Sequence, residues 1–253
     1  MLKNKHLTRA LQACSDMGAW LLIIVVAIIL TICTDTFFTW DNIMNVVRQT
    51  CVVSIIALGS SFVVLGGEID LSTGMVSTLA GCTTALLITK AGFTTFPAIL
   101  VAILIGAIIG TFTGCIVTFL KIPAFIGSLG VQYIVQGTIL ITTNSMPITG
   151  LPDDFLFLGR GYIANVLPFP IIIMLVFFII GAVVLKYTPF GRSVISVGEN
   201  PDAAKLSGLN VEQTKILIFT ICGFCAAFAG VVQASRMSSG QPSSGTDLSL
   251  QAL

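Results

Sequence analysis

Charge is scarce in this sequence. Lys, Arg, Asp and Glu make up 9% of its 253 residues, against roughly 25% in an ordinary soluble domain. The net charge of +1 supplies no broad field for a polyanion, so nucleic acid is excluded as a partner. There is one histidine, His6, which leaves little scope for imidazole acid-base work or a histidine metal site. No G-x-x-x-x-G-K-[S/T] segment occurs, so the chain lacks a phosphate-cradling loop and is not an ATP-hydrolysing subunit. No nucleophile, base and metal constellation appears either, which makes an enzyme the weakest reading.

What is there is apolar. Hydrophobic residues are 55% of the chain and the mean hydropathy is +1.02. Seven stretches, 17–34, 51–67, 71–89, 96–120, 122–143, 168–185 and 216–235, each approach the roughly 20 helical residues that cross about 30 Å of hydrocarbon. The 12 basic and 11 acidic residues all fall outside them, as expected when a charge at a helix centre costs about 2.5–3.5 kcal/mol. The reading is an all-α polytopic membrane protein, with 1–253 as a single transmembrane domain. Span 122–143 begins at Pro123 and carries Gln132, Tyr133 and Gln136, so a re-entrant or cavity-lining helix is one option. No small-x-small cleavage site follows the first span, which reads as a retained helix rather than a signal peptide.

Orientation follows the basic residues. With the N-terminus inside, Lys3, Lys5, Arg9, Lys121, Lys186, Arg192, Lys205 and Lys215 are cytoplasmic, while Arg48, Lys90, Arg160 and Arg236 are outside. That bias favours a cytoplasmic N-terminus. Trp20, Trp40, Tyr162 and Tyr187 lie near span ends, as an interfacial aromatic belt would have them.

Cys222-Gly223-Phe224-Cys225 has a redox-like spacing, but it lies inside an apolar helix, where small buried hydrophobes are the expected role. No cysteine pair suggests a disulfide. Gly106, Gly110 and Gly114 recur every four residues on one face of the fourth span, so another helix is expected to approach closely there. Phe219, Gly223, Ala227 and Gly230 form a similar, weaker face on the seventh.

Residues 186–215 form the longest expected cytoplasmic stretch, and they contain a short helix signal. Asn200 suits the N-cap, Pro201 the first helical position, Asp202 the positive end of the dipole, and Gly208 a left-handed C-terminal cap. Ala203, Ala204, Lys205, Leu206 and Ser207 lie between, with Leu206 and Leu209 as apolar contacts. A helix lying on the membrane or on the bundle is the plain structural alternative.

Asp202-Ala203-Ala204-x-x-x-Gly208 resembles the EAA-x-x-x-G cytoplasmic loop of ATP-binding-cassette (ABC) importer permeases, with Asp in place of Glu. The order Thr188-Pro189-Phe190-Gly191-Arg192, Gly198-Glu199-Asn200, Asp202 to Gly208 and Ser238-Ser239-Gly240-Gln241-Pro242 is similar to the ribose, xylose, arabinose and galactoside permeases. Gly66-Gly67-Glu68-Ile69-Asp70-Leu71-Ser72-Thr73-Gly74 resembles a Gly-(Glu)-Ile-Asp-Leu-Ser-x-Gly segment of the same family. The resemblance covers almost the whole chain. It implies a permease subunit that translocates a ribose-like pentose or related sugar across a bacterial inner membrane. The implied partners are a separate ABC ATPase holding ATP and Mg²⁺, a periplasmic sugar-binding protein met by loop 144–167 with Asp153, Asp154 and Arg160, and a second permease subunit of the same or another kind. The segment from Asn200 to Gly208 would dock on the ATPase. The chain would hold no cofactor itself and do no covalent chemistry. The family implies further membrane segments beyond Leu253.

Turn chemistry accounts for Asp70 as an N-cap of the third span, and for Gly66 and Gly67 as the end of the second. It accounts less well for Glu68. The second span, read as 17 residues, is about 26 Å long at 1.5 Å per residue, so the turn is expected to be drawn inward. Glu68, Asp70 and Ser72 are therefore candidates for the translocation path or its gate, with Gln132 and Gln136 farther along it. Ser54, Ser60, Ser61, Thr73, Ser77 and Thr138 are weaker candidates, because serine and threonine also bond back to their own helix. The rival reading is an ATP-independent channel or an ion-coupled secondary transporter, with Glu68 and Asp70 as coupling sites.

Overall fold

A computed structural model describes residues 18, 22–164 and 166–253. They fall into two compact units, 1–47 and 48–253. The first contains helix α1 (Leu22–Cys33), where Thr31 Oγ1 donates to Ala27 O at 2.6 Å. The start of the span expected at 17 lies outside the described residues.

The remaining helices are α2 (Trp40–Leu65), α3 (Thr73–Thr89), α4 (Thr95–Phe119), α5 (Ala124–Thr143), α6 (Asp153–Arg160), α7 (Phe169–Tyr187), α8 (Pro189–Glu199), α9 (Pro201–Leu206), α10 (Val211–Met237) and α11 (Leu248–Ala252). Strands β1 (Tyr162–Ile163) and β2 (Leu167–Pro168) pair antiparallel between α6 and α7. Among the described residues, five helices, α2, α4, α5, α7 and α10, are long and apolar enough to cross a membrane, while α1 and α3 are apolar but shorter. All seven expected stretches thus contain an apolar helix, and the count of seven spans is not confirmed among the described residues. The chain is a multi-pass helical membrane protein.

The largest boundary error is at α2, which is 26 residues long and begins at Trp40 rather than 51. Asp41, Asn42, Asn45, Arg48 and Gln49 hide its first turns from a hydropathy scan, but polar side chains do not stop a backbone from continuing its own hydrogen bonds. Span 122–143 contains one continuous helix of 20 residues. Two expected loops also contain helices. Residues 186–199 include α8, which Thr188 caps by accepting the Gly191 N–H at 3.2 Å. Loop 144–167 includes α6, with Asp153 and Asp154 in its first turn and Arg160 in its last, matching the helix dipole.

Helix α10 is the spine of the second unit, with most of Phe219 to Ser235 buried. Gly106, Gly110 and Gly114 of α4 all face it. A Cβ at Gly106 would strike Ala227 Cβ, one at Gly110 would strike Phe219 O, and one at Gly114 would lie 2.9 Å from Ile216 Cα. Farther along the same face of α10, a Cβ at Gly230 would strike Ser77 O of α3. Lipid provides little hydrophobic drive for helices to associate, so this backbone-to-backbone approach carries much of the packing. At one end α6 is pinned to α10: Phe155 is fully buried, Ser235 Oγ donates to Phe155 O at 2.7 Å and accepts the Gly159 N–H at 2.7 Å.

Gly223 and Gly130 separate packing from propensity. A Cβ at Gly223 would lie 2.9 Å from Gly110 Cα, whereas nothing is within 4 Å at Gly130. Gly223→Val is expected to lower the unfolding midpoint in detergent by the equivalent of about 1–3 kcal/mol or more. Gly130→Ala is expected to leave it unchanged or raise it slightly; an equal loss in both would contradict the packing account.

Candidate functional site: the capped helix and the inward turn

Six residues form α9, and local bonds account for both of its ends. Asn200 Oδ1 accepts the N–H groups of Asp202 at 3.1 Å and Ala203 at 3.0 Å, satisfying two of the orphan donors of the first turn. Gly208 takes φ +84°, a conformation that glycine adopts at little cost. The N–H of Gly208 donates to Lys205 O at 3.0 Å and that of Leu209 to Ala204 O at 3.1 Å. Ala204 anchors the helix inward, while Leu206 is 90% exposed. Beside it runs an open cleft of about 480 Å³, lined by Pro201, Asp202, Lys205 and residues 208–212. The result is a rigid, short helix presenting an uncovered leucine.

The Gly66–Gly74 segment lies at the same end. After Leu65 the chain turns through Gly67 at φ +79°, and Glu68 N–H returns to Val63 O at 3.0 Å. Glu68 then pairs with Lys215 of α10, and this is the one ion pair among the described residues. Residues 68–71 are non-helical and run back into the bundle. The Asp70 carboxylate faces the Cys222 thiol, seven residues farther along α10 than Lys215, or about 10 Å at 1.5 Å per residue. The turn is drawn inward because α3 starts late, and not because α2 is short.

Asp70 is 2% exposed. Its Oδ1 accepts from Ser72 N at 2.8 Å and from Ser72 Oγ at 2.7 Å. The residue at the N-cap of α3 is Ser72, which corrects the assignment of Asp70 to that position. A carboxylate two residues earlier holds the turn instead, as short polar side chains do when they bond the backbone two residues on. From here the segment reaches two further elements. Leu71 N–H donates to Ser128 Oγ of α5 at 3.1 Å. Ser249 Oγ of α11 donates to Leu71 O at 2.8 Å and accepts the Gly74 N–H at 3.0 Å.

Asp70 and Ser72 thus lie together, with Glu68 on the same turn but paired about two turns nearer the start of α10, whereas Gln132 and Gln136 are half-buried one and two turns beyond Ser128 on α5. Tyr133 and Ile134, each 65% exposed, occupy other faces of the same helix. Among the weaker candidates, Ser61 and Thr138 donate to their own helices at Ala57 O and Ile134 O. Ser60, Thr73 and Ser77 are buried. Asp154, from the other end, accepts a hydrogen bond from Thr95 Oγ1, and Arg160 Nε donates to Arg236 O at 2.9 Å. Three participants escaped the sequence reading: Lys215, Ser128 and Ser249. Each is distant in sequence from the turn it binds, and no local pattern marks such a partner.

Residues 42–253 match the family described as "Branched-chain amino acid transport system / permease component". The chain is 40% identical to the ribose import permease protein RbsC of Haemophilus influenzae, over 92% of this chain and 72% of that one. It is 36% identical to RbsC of Bacillus subtilis, over 99% and 77% of the two chains. It is 27% identical to the xylose transport system permease protein XylH of Haemophilus influenzae, over 94% and 80%. No solved structure matches.

Asp70→Asn retains an oxygen acceptor for Ser72 and is expected to melt close to the native chain in detergent. Asp70→Ala strands the buried Ser72 donors and is expected to cost about 1–3 kcal/mol. Equal melting of the two variants would show that the hydrogen bonds to Ser72 do not hold the turn.

Proposed function

We propose, from the premise that this chain belongs to the branched-chain amino acid transport system / permease component family, that it is the membrane-spanning subunit of an ATP-driven sugar importer. Its relatives named for ribose and xylose match over more than nine-tenths of the chain, which favours a pentose or similar sugar as the solute. The chain is a transport component and not an enzyme; ATP and Mg²⁺ belong to a partner ATPase. It works in the bacterial inner membrane with its N-terminus cytoplasmic, beside a second permease subunit.

One observation carries the reading most directly: the twice-capped helix α9 holds Leu206 almost wholly out of its own fold. A hydrophobic side chain on so short and rigid a support suits insertion into a groove of a partner, where a few buried anchors dominate binding energy. The partner at this end is the ATPase. At the opposite end of α10, the surface carrying Asp153, Asp154 and Arg160 receives the soluble sugar-binding protein. Glu68, Asp70 and Ser72 form the gate, and the half-buried Gln132 and Gln136 of α5 border the path, where amide groups exchange hydrogen bonds with sugar hydroxyls.

The rival, an ion-coupled transporter using Glu68 and Asp70, fits less well. Glu68 is committed to Lys215 and Asp70 to Ser72, so neither carboxylate stands ready for an ion.

Leu206→Asp is expected to melt like the native chain and to reduce recovery of the ATPase in affinity purification from membranes by about tenfold or more, since each tenfold is 1.4 kcal/mol. Undiminished recovery would remove α9 from the docking surface.

A further inference from the structure

The segment carrying α9 is gripped on both sides by one turn. Upstream, Gly198 lies in the last turn of α8, two residues before the Asn200 cap, and its Cα lies so close to the α2 terminus that a Cβ there would strike Leu65 O. A Cβ on Gly67 would in turn sit 3.3 Å from Gly198 O. Downstream, Lys215 stands on the second turn of α10, five residues after the Asn210 cap, and donates to Glu68. A Cβ on Gly66 would strike Ile218 Cδ1 of the same helix. Residues 199–214 therefore form a handle whose two roots both rest on residues 65–68.

The turn's other end reaches elsewhere. Through Leu71 it is bonded to Ser128 at the root of α5 and to Ser249 of α11, and Gln132 and Gln136 lie farther along α5. A displacement of α9 thus reaches α5 through a few residues of non-helical backbone. The two grips differ in kind. The Gly198 contact is steric and resists compression only. The Glu68–Lys215 pair is attractive, with its side chains 17% and 20% exposed, so it also resists separation. Removing one member of a pair so sheltered leaves a charge without its partner.

We infer that Lys215, through Glu68, is a positioning residue that couples movement of α9 to the turn and so to α5. This rests on the reading of α9 as the ATPase contact and names how that contact is transmitted. Lys121 and Glu212 line the same cleft of about 350 Å³, so the pair has charged neighbours of both signs. Breaking it leaves α9 with its own caps and its own exposed leucine. ATPase binding should then survive while transport loses its link to hydrolysis.

The test uses the assembled importer in proteoliposomes, with uptake of ribose, ATP hydrolysis and the amount of bound ATPase measured together for the native chain, Glu68→Ala, Lys215→Ala and the exchange Glu68→Lys with Lys215→Glu. The single variants are expected to retain the ATPase and hydrolyse ATP, yet to move about tenfold less ribose per ATP, a usual scale for coupling between sites. The exchange is expected to restore most of that ratio, which a merely bulky or fold-stabilising role would not do. A native ratio in either single variant would overturn the inference, as would an exchange that assembles but stays uncoupled. If a single variant fails to assemble, the exchange must restore assembly and coupling together, and its failure would likewise overturn the inference. A native chain that moves ribose without any bound ATPase would overturn the functional reading itself and take this inference with it.

Discussion

The close approach of α4 and α3 to α10 is the constraint on which the remaining geometry depends. In a bilayer, apolar side chains gain little by leaving lipid for one another, and helices associate chiefly where backbones can come near. Gly106, Gly110 and Gly114 on one helix and Gly223 on the other leave no room for a Cβ between them. Gly230 does the same against Ser77. These contacts set the height of α10 relative to α3. That height brings Cys222 level with Asp70 and Lys215 level with Glu68.

From this follows the unusual course of residues 66–72. The chain leaves α2, bends at a left-handed glycine, forms an ion pair near the surface of the bundle, and then runs inward to start α3 at depth. Non-helical backbone inside a membrane protein requires partners for its N–H and C=O groups. Here Ser128 accepts the Leu71 N–H, Ser249 serves Leu71 O and the Gly74 N–H, and Asp70 accepts from Ser72. The polar residues in and around the turn are therefore first of all a replacement for water. They also tie three elements to a single short segment, and that tie makes the turn a candidate for transmitting movement.

Much of this was legible in the sequence, and unequally so. The cap residues Asn200, Pro201 and Gly208 act within a few residues of themselves, so α9 could be read to its ends. The glycine stripe of α4 was equally plain, because its four-residue period is a property of one helix. Hydropathy placed α4, α5, α7 and the core of α10 well, but it truncated α2, whose first turns are polar, and it did not register α6 or α8, which are short and amphipathic. Asp70 was recognised as a turn residue and assigned to the wrong position, since a side chain two residues before the N-cap and one at it share the same composition cue. Lys215, Ser128 and Ser249 were invisible. Their roles exist only once distant segments are placed side by side, and a single sequence carries no signal for that.

The central claim is that α9 and the inward turn move as one body. The most direct measurement is the distance between spin labels at Lys205 and Ile69, both exposed, by pulsed electron resonance in the importer assembled with its ATPase, with and without ATP. The account predicts one narrow distance distribution that ATP leaves in place. A shift or a marked broadening on ATP binding would show α9 moving independently of the turn, and would contradict it.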